Sequence, residues 1–232
     1  MNAAAKWSAL SDPAARLILL IALPIAAFAP FDVIFSALTM GSPWLRMAWI
    51  AILIWIGVTA GAKLGLRLPG HCAASWVRIG VVAAALMAGY VILLDCFVFR
   101  ALLNPNYVAF LHRPLGERLA YFMTRAFNEN VIYRLFAFGS LAWLLNRGRS
   151  AMPSRGILAA AMIGAQLINI GCNVLLSQGA ILTPLTLVYD ALRYIVPGVI
   201  WAILYVRNGF ATAEVASVGC HVFLQPAFSL LL

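Results

Sequence analysis

The chain has 232 residues, of which 64% are hydrophobic and 10% charged, against about 25% charged in an ordinary soluble domain. A water-soluble core of this size does not hide so much apolar surface, which excludes a soluble enzyme, and a disordered chain is excluded by the same composition. Lys+Arg is 16 and Asp+Glu is 7, a formal charge of +9; the basic residues lie mostly between apolar runs, a pattern of membrane topology rather than of nucleic-acid binding.

The expected fold class is therefore all-α, a polytopic membrane helix bundle with residues 1–232 as one transmembrane domain. A spanning helix needs about 20 apolar residues. Seven runs approach that length, at roughly 15–39, 44–62, 79–99, 127–145, 156–177, 184–206 and 211–232. The first has basic Lys6 and Arg16 before it and Ala27-Phe28-Ala29 within it, like a signal peptide. Pro30 follows at once and the run continues past Asp32 to Leu38, which favours a retained helix.

The third run ends near Asp95, where Arg100 is the expected ion-pair partner. The third loop is broken by Pro105 and Pro114. From Leu115 to Phe127, Leu115, Leu119, Phe122, Met123 and Phe127 alternate with Glu117, Arg118 and Arg125, which suits an amphipathic helix lying in the membrane interface. The fourth run opens on Asn128, Glu129 and Asn130, with Arg134 following. Asn169 and Asn173 share one face of the fifth run, and His221 and Gln225 share one face of the seventh. In the sixth, Asp190 and Arg193 are three apart and expected to pair. Asp32 has no obvious local partner.

Charges inside a bilayer cost at least ~2.5 kcal/mol each, so each one calls for a role. Taken singly, the asparagines read as interhelical hydrogen bonds and Glu129 as a favourable charge at a helix start. A mid-membrane His is harder to dismiss, because it can exchange a proton or accept a hydrogen bond. By depth, Glu129, Arg134, Asn173 and His221 all fall in the outer half of the bundle, on three helices.

The loops set the orientation. Lys6, Arg16, Lys63, Arg67, Arg78, Arg147, Arg149, Arg155 and Arg207 lie on one side; Arg46, Arg100, Arg113, Arg118 and Arg125 lie on the other. The positive-inside rule puts the N-terminus in the cytoplasm and the C-terminus outside. The short chain and the Ala/Arg-rich composition point to a bacterial inner membrane. Cys96, Cys172 and Cys220 fall in apolar runs and Cys72 in a basic loop, with no disulfide or zinc spacing.

Three motifs in residues 115–232 resemble the CPBP family of CAAX prenyl proteases and bacteriocin-processing, Abi-type intramembrane proteases. That family carries Glu-Glu-x-x-x-Arg, Phe-x-x-x-His and His-x-x-x-Asn on successive helices. Here the first reads Glu129-Asn130-Val131-Ile132-Tyr133-Arg134, the second Asn169-Ile170-Gly171-Cys172-Asn173, and the third His221-Val222-Phe223-Leu224-Gln225. The second Glu, the second-motif His and the last Asn are replaced by Asn130, Asn173 (Asn169 in a register one turn away) and Gln225. Each replacement still hydrogen-bonds.

The resemblance implies a glutamic endopeptidase cutting a membrane-associated protein or peptide near the membrane face. Glu129 would activate water, Arg134 would hold the Glu charge or lock the helix, and His221, Asn173 and Gln225 would orient water or donate to the oxyanion. No metal and no cofactor is expected, since Glu129 and His221 fall short of the three protein ligands of a catalytic zinc. The altered motifs leave a second reading, a non-catalytic membrane subunit or assembly factor that binds a membrane partner. A transporter ranks third, for want of a broken-helix pair or inverted repeat.

Overall fold

The computed structural model describes residues 12–29, 33–69, 73–172 and 182–232. Among them the chain is helical, without a strand. The α-helices are α1 Pro13–Phe28, α2 Val33–Leu38, α3 Pro43–Lys63, α4 Ala73–Ile92, α5 Pro105–Leu111, α6 Leu115–Glu129, α7 Gly139–Leu145, α8 Arg155–Ile170, α9 Pro184–Asp190, α10 Val196–Asn208 and α11 Phe210–Leu231. Wider π-helical segments interrupt them, among them Leu93–Val98 after α4, Asn130–Phe138 between α6 and α7, and Ala191–Ile195 between α9 and α10.

Several helix starts are written in the sequence. Asp12 accepts from the Ala14 N–H with Pro13 at the first position of α1. Ser42 and Pro43 do the same for α3, and Thr183, Pro184 and Thr186 form a capping box on α9. These satisfy backbone donors that a helix start otherwise leaves open.

Among the described residues, four helices are long and apolar enough to cross a membrane: Pro43–Lys63, Ser75–Val98, Pro184–Asn208 and Phe210–Leu231. Pro13–Phe28 and Arg155–Ile170 are apolar but shorter. The surfaces that face outward are apolar as well: Leu20 is 71% exposed, Leu86 69% and Leu167 56%. In water such continuous apolar exposure is a liability; against lipid it is the favourable state.

Two expected elements differ. The first apolar run contains two helices, α1 and α2, rather than one. Ala29 ends α1 in an extended conformation, φ −85° and ψ 159°, because the residue before a proline is pushed out of the helical region. The stretch Leu115–Phe127 is not a separate interfacial helix. α6 passes through helical backbone at Asn130 and Gly139 into α7, so Leu115–Leu145 is one continuous rod. Its amphipathic stripe faces α11 instead: Arg118 is 2% exposed and donates to the Ser229 hydroxyl.

Helix packing sets the relative directions. α4 and α11 run parallel, with Gly80 against Val215 and Ala84 against Gly219. α3 runs parallel to the α6–α7 rod: Gly57 lies on the Leu135 carbonyl, and further along the Lys63 Nζ sits 4.5 Å over the Trp143 ring. Small residues permit this close backbone approach where lipid leaves no hydrophobic drive between helices. At one end of the bundle the loop after α3 reaches the start of α11. The Phe210 and Ala211 N–H groups donate to the Arg67 and Leu68 carbonyls at 2.9 and 3.0 Å. Gly209, at φ +97°, makes that turn against Pro69, where a Cβ would collide with the Pro69 carbonyl.

Candidate functional site

These π-helical segments each carry one charged residue drawn into the bundle: Asp95 and Arg134, both buried, and Arg193, partly so. A π-turn inserts a residue, redirects the side chains after it and is enriched at functional sites. The Asn130–Phe138 segment shows the effect. Residues five apart diverge on an ordinary α-helix, but here the Arg134 Nη1 reaches back to the Glu129 carbonyl at 3.5 Å.

Glu129 does not pair with Arg134 through its carboxylate. Its Oε1 accepts from the Arg125 Nε at 2.8 Å, one turn earlier on α6. The Glu129 side chain keeps 27% exposure, so the bundle does not enclose it. Arg134 is 5% exposed, and its Nη2 donates at 3.4 Å to the Gln166 Oε1, which also accepts from the Asn169 Nδ2 at 3.4 Å. Gly198 of α10 lies so close to Gln166 that a Cβ there would collide with the amide. Asn169 therefore joins the α6–α8 polar contact; Asn173 lies outside the described residues, as do Asp32 and Cys72.

Asn130 is fully buried, and its Nδ2 donates to the Glu214 Oε2 on α11 at 3.1 Å. Glu214 went unsingled in the sequence. The signal was present: it is the only acid in the run 211–232, and an ionisable residue inside an apolar run marks a site by default. Gln166, three residues before Asn169 on the same face, was legible in the same way.

His221 stacks on Phe122 of α6, with ring centroids 5.3 Å apart and planes 14° from parallel. Its Nδ1 is buried without a hydrogen-bond partner. Phe122/His221 and Asn130/Glu214 fix an antiparallel register between α6 and α11. In that register Glu129 and His221 are offset by about six residues, ~9 Å along the axis. Side chains lean toward the N-terminus of their own helix, so on antiparallel helices these two lean toward each other. Glu129 and Arg125 act electrostatically on His221 across that gap. Gln225, one turn further along α11, is fully buried with both amide atoms unpartnered; Asn128, 2% exposed, is in the same state.

A second polar group adjoins His221. The expected pairs Asp95–Arg100 and Asp190–Arg193 are not formed. Instead the Arg193 Nε donates to both carboxylate oxygens of Asp95, at 3.1 and 3.0 Å, and the Tyr189 hydroxyl donates to Asp95 at 3.0 Å. The physical reason is burial: the Asp95 side chain is wholly enclosed, and an enclosed carboxylate must take its counter-charge within the bundle. Tyr107 of α5 hydrogen-bonds Arg193, and Arg193 also acts on His221. Burial pushes the Tyr107 phenol above its ordinary range, so it stays protonated, and its oxygen accepts from the Arg193 guanidinium.

The arrangement combines a partly exposed carboxylate, a nearby imidazole, buried amides and the three guanidinium groups of Arg125, Arg134 and Arg193, drawn from α6, α8, α11 and the π-helical segments. Such a set can polarise water and stabilise a developing negative charge. Among the described residues no three His, Cys, Asp or Glu side chains group to hold a metal ion. Among the described residues, Cys96 and Cys220 are buried thiols outside any disulfide, and Cys172 is buried as well. Compared with protein-family models, curated proteins and solved structures, the chain matches none.

Proposed function

We propose that the chain is a CPBP-type intramembrane glutamic endopeptidase that cuts a membrane-associated protein or peptide near the outer membrane face. The observation that carries this reading is Glu129: a partly exposed carboxylate at the end of α6, where the π-turn begins, leaning toward His221 across the α6–α11 contact. In the reaction, Glu129 takes a proton from water as the hydroxyl oxygen attacks the scissile carbonyl carbon. The tetrahedral oxyanion accepts hydrogen bonds from His221 and the buried amides, Gln225 among them and Asn173 with it. As the C–N bond breaks, the proton on Glu129 passes to the leaving amine. Arg134 and Arg125 hold the Glu129 segment in place through the contacts at its carbonyl and carboxylate.

Seven crossings with a cytoplasmic N-terminus belong to the same proposal. Strictly alternating runs require the second and fourth to be parallel, and likewise the third and seventh; the α3/α6–α7 and α4/α11 packing supports both. Arg118 and Arg125 are engaged within the bundle rather than displayed by a loop, which widens the excess of basic residues on the cytoplasmic side. A bacterial inner membrane is the setting we propose.

One observation favours a second reading, a non-catalytic CPBP-like subunit that binds a membrane partner. Where the family pattern has a second acid, Asn130 is committed to Glu214 as an interhelical tie, as a scaffold would use it. Comparing membrane-protein termini in cells carrying the native chain and cells carrying Glu129→Gln at equal insertion separates the two. Defined termini that vanish in the variant support the protease; termini that are unchanged while a co-purifying partner is retained support the subunit and sink the protease.

A further inference from the structure

A cavity of about 480 Å³ opens between α5, the start of α6 and the end of α11, away from Glu129 and His221. Its floor is apolar, with Val108, Leu111 and Phe228, and its polar lining is basic: His112, Arg113 and Arg118, with the Ser229 hydroxyl. Arg118 is the decisive member. It is 2% exposed, yet only its Nη2 is engaged, by Ser229; the Nε and Nη1 are buried without a hydrogen-bond partner. A guanidinium held this way leaves its planar fork available to one anion.

Two further features point the same way. α6 begins after Pro114 with no side-chain cap, so its first N–H groups are open donors at the positive end of a 15-residue helix. The acid at this end, Glu117, is turned to Arg113 at 3.7 Å in an exposed pair, which solvent makes weak. The pocket therefore offers a buried guanidinium, a helix start and an apolar floor to one occupant. Leu115 at its rim is 39% exposed and Leu230 beside it 86%, an apolar surround that suits acyl chains next to a bound headgroup.

We propose that this pocket binds a phosphate-bearing anion, supplied by the headgroup of an anionic phospholipid, with Arg118 as the principal ligand and Arg113 and His112 at the rim. Phosphate rather than carboxylate fits the cavity size and the three-sided donor set. The site is independent of the peptidase reading.

The test uses the full chain in neutral detergent. Thermal unfolding is followed with added phosphatidylglycerol, phosphatidylcholine or inorganic phosphate, and native mass spectrometry records retained lipid. Phosphatidylglycerol retained and stabilising beyond phosphatidylcholine, with binding at least ~10-fold weaker in Arg118→Gln, supports a lipid headgroup. Stabilisation by inorganic phosphate but not by phosphatidylglycerol supports the anion site with a soluble source. No stabilisation by either, or equal binding by native chain and Arg118→Gln, overturns the proposal. If Arg118→Gln does not fold, the exposed double variant His112→Gln/Arg113→Gln serves: unchanged phosphatidylglycerol affinity in it overturns the assignment.

Discussion

The Asn130 Nδ2 donates to the Glu214 Oε2 at 3.1 Å, joining the start of the central π-turn to the last helix. Asn130 is fully buried and Glu214 partly so, so water does not readily replace the bond when it is lost. Glu214→Ala leaves the Asn130 amide buried without its acceptor and costs about 1–3 kcal/mol. Glu214→Gln retains an acceptor oxygen and is expected within about 1 kcal/mol of the native chain. Thermal unfolding in detergent reads both; equal losses in the two variants would show that the contact contributes nothing specific.

Asp95 and Arg193 make a buried pair, where deleting one partner strands the other. Asp95→Leu or Arg193→Met alone is expected to cost about 3–5 kcal/mol, and the double variant to recover most of it. A double-mutant cycle on unfolding checks the sign of the coupling. A cycle with no coupling would return Arg193 to the Asp190 partner that its spacing suggests.

Gly198 has room for hydrogen only, because the Gln166 amide occupies the place of a Cβ. Gly198→Ala should destabilise by about 1–3 kcal/mol through overpacking and push Gln166 off Arg134. Adding Gln166→Ser frees the space, so Gly198→Ala should then cost much less than it does alone. Additive losses would mean that the two side chains do not share the space.

Topology is checked by labelling introduced cysteines after the native ones are changed to serine. His112→Cys and Arg149→Cys both place the thiol at exposed positions, at the start of the α6–α7 rod and beyond its end. With a cytoplasmic N-terminus, an impermeant maleimide labels position 112 in intact cells and position 149 only after permeabilisation. The reverse pattern would invert the proposed orientation, and labelling of both from outside would remove the fourth crossing.

Helices were the easier part to read from sequence, since apolar length and Ser-Pro or Asp-Pro starts are local signals. The site was harder, because each useful contact joins residues far apart in the chain. Asp190 and Arg193 satisfy the three-residue spacing rule, yet Asp95, 98 positions away from Arg193, takes the guanidinium because it is enclosed and Asp190 is not. Glu129 and Arg134 look matched in sequence, but the carboxylate turns back to Arg125 while the guanidinium bridges to α8. The π-turns at Asp95, Arg134 and Arg193 redirect the side chains that follow them, a shift that a 3.6-residue pattern does not foresee.

The parallel seating of α11 on α4 has a consequence for biogenesis. The groove of small residues along α4, Gly80 and Ala84, is synthesised well before α11, the helix that fills it. The α11 start is also stapled by the Arg67 and Leu68 carbonyls, which must already be in place. Assembly of this part of the bundle therefore closes when α11 arrives, like a door hung on a frame built first. A nascent chain halted before Phe210 would hold an open seam along α4, available to the insertion machinery until α11 arrives.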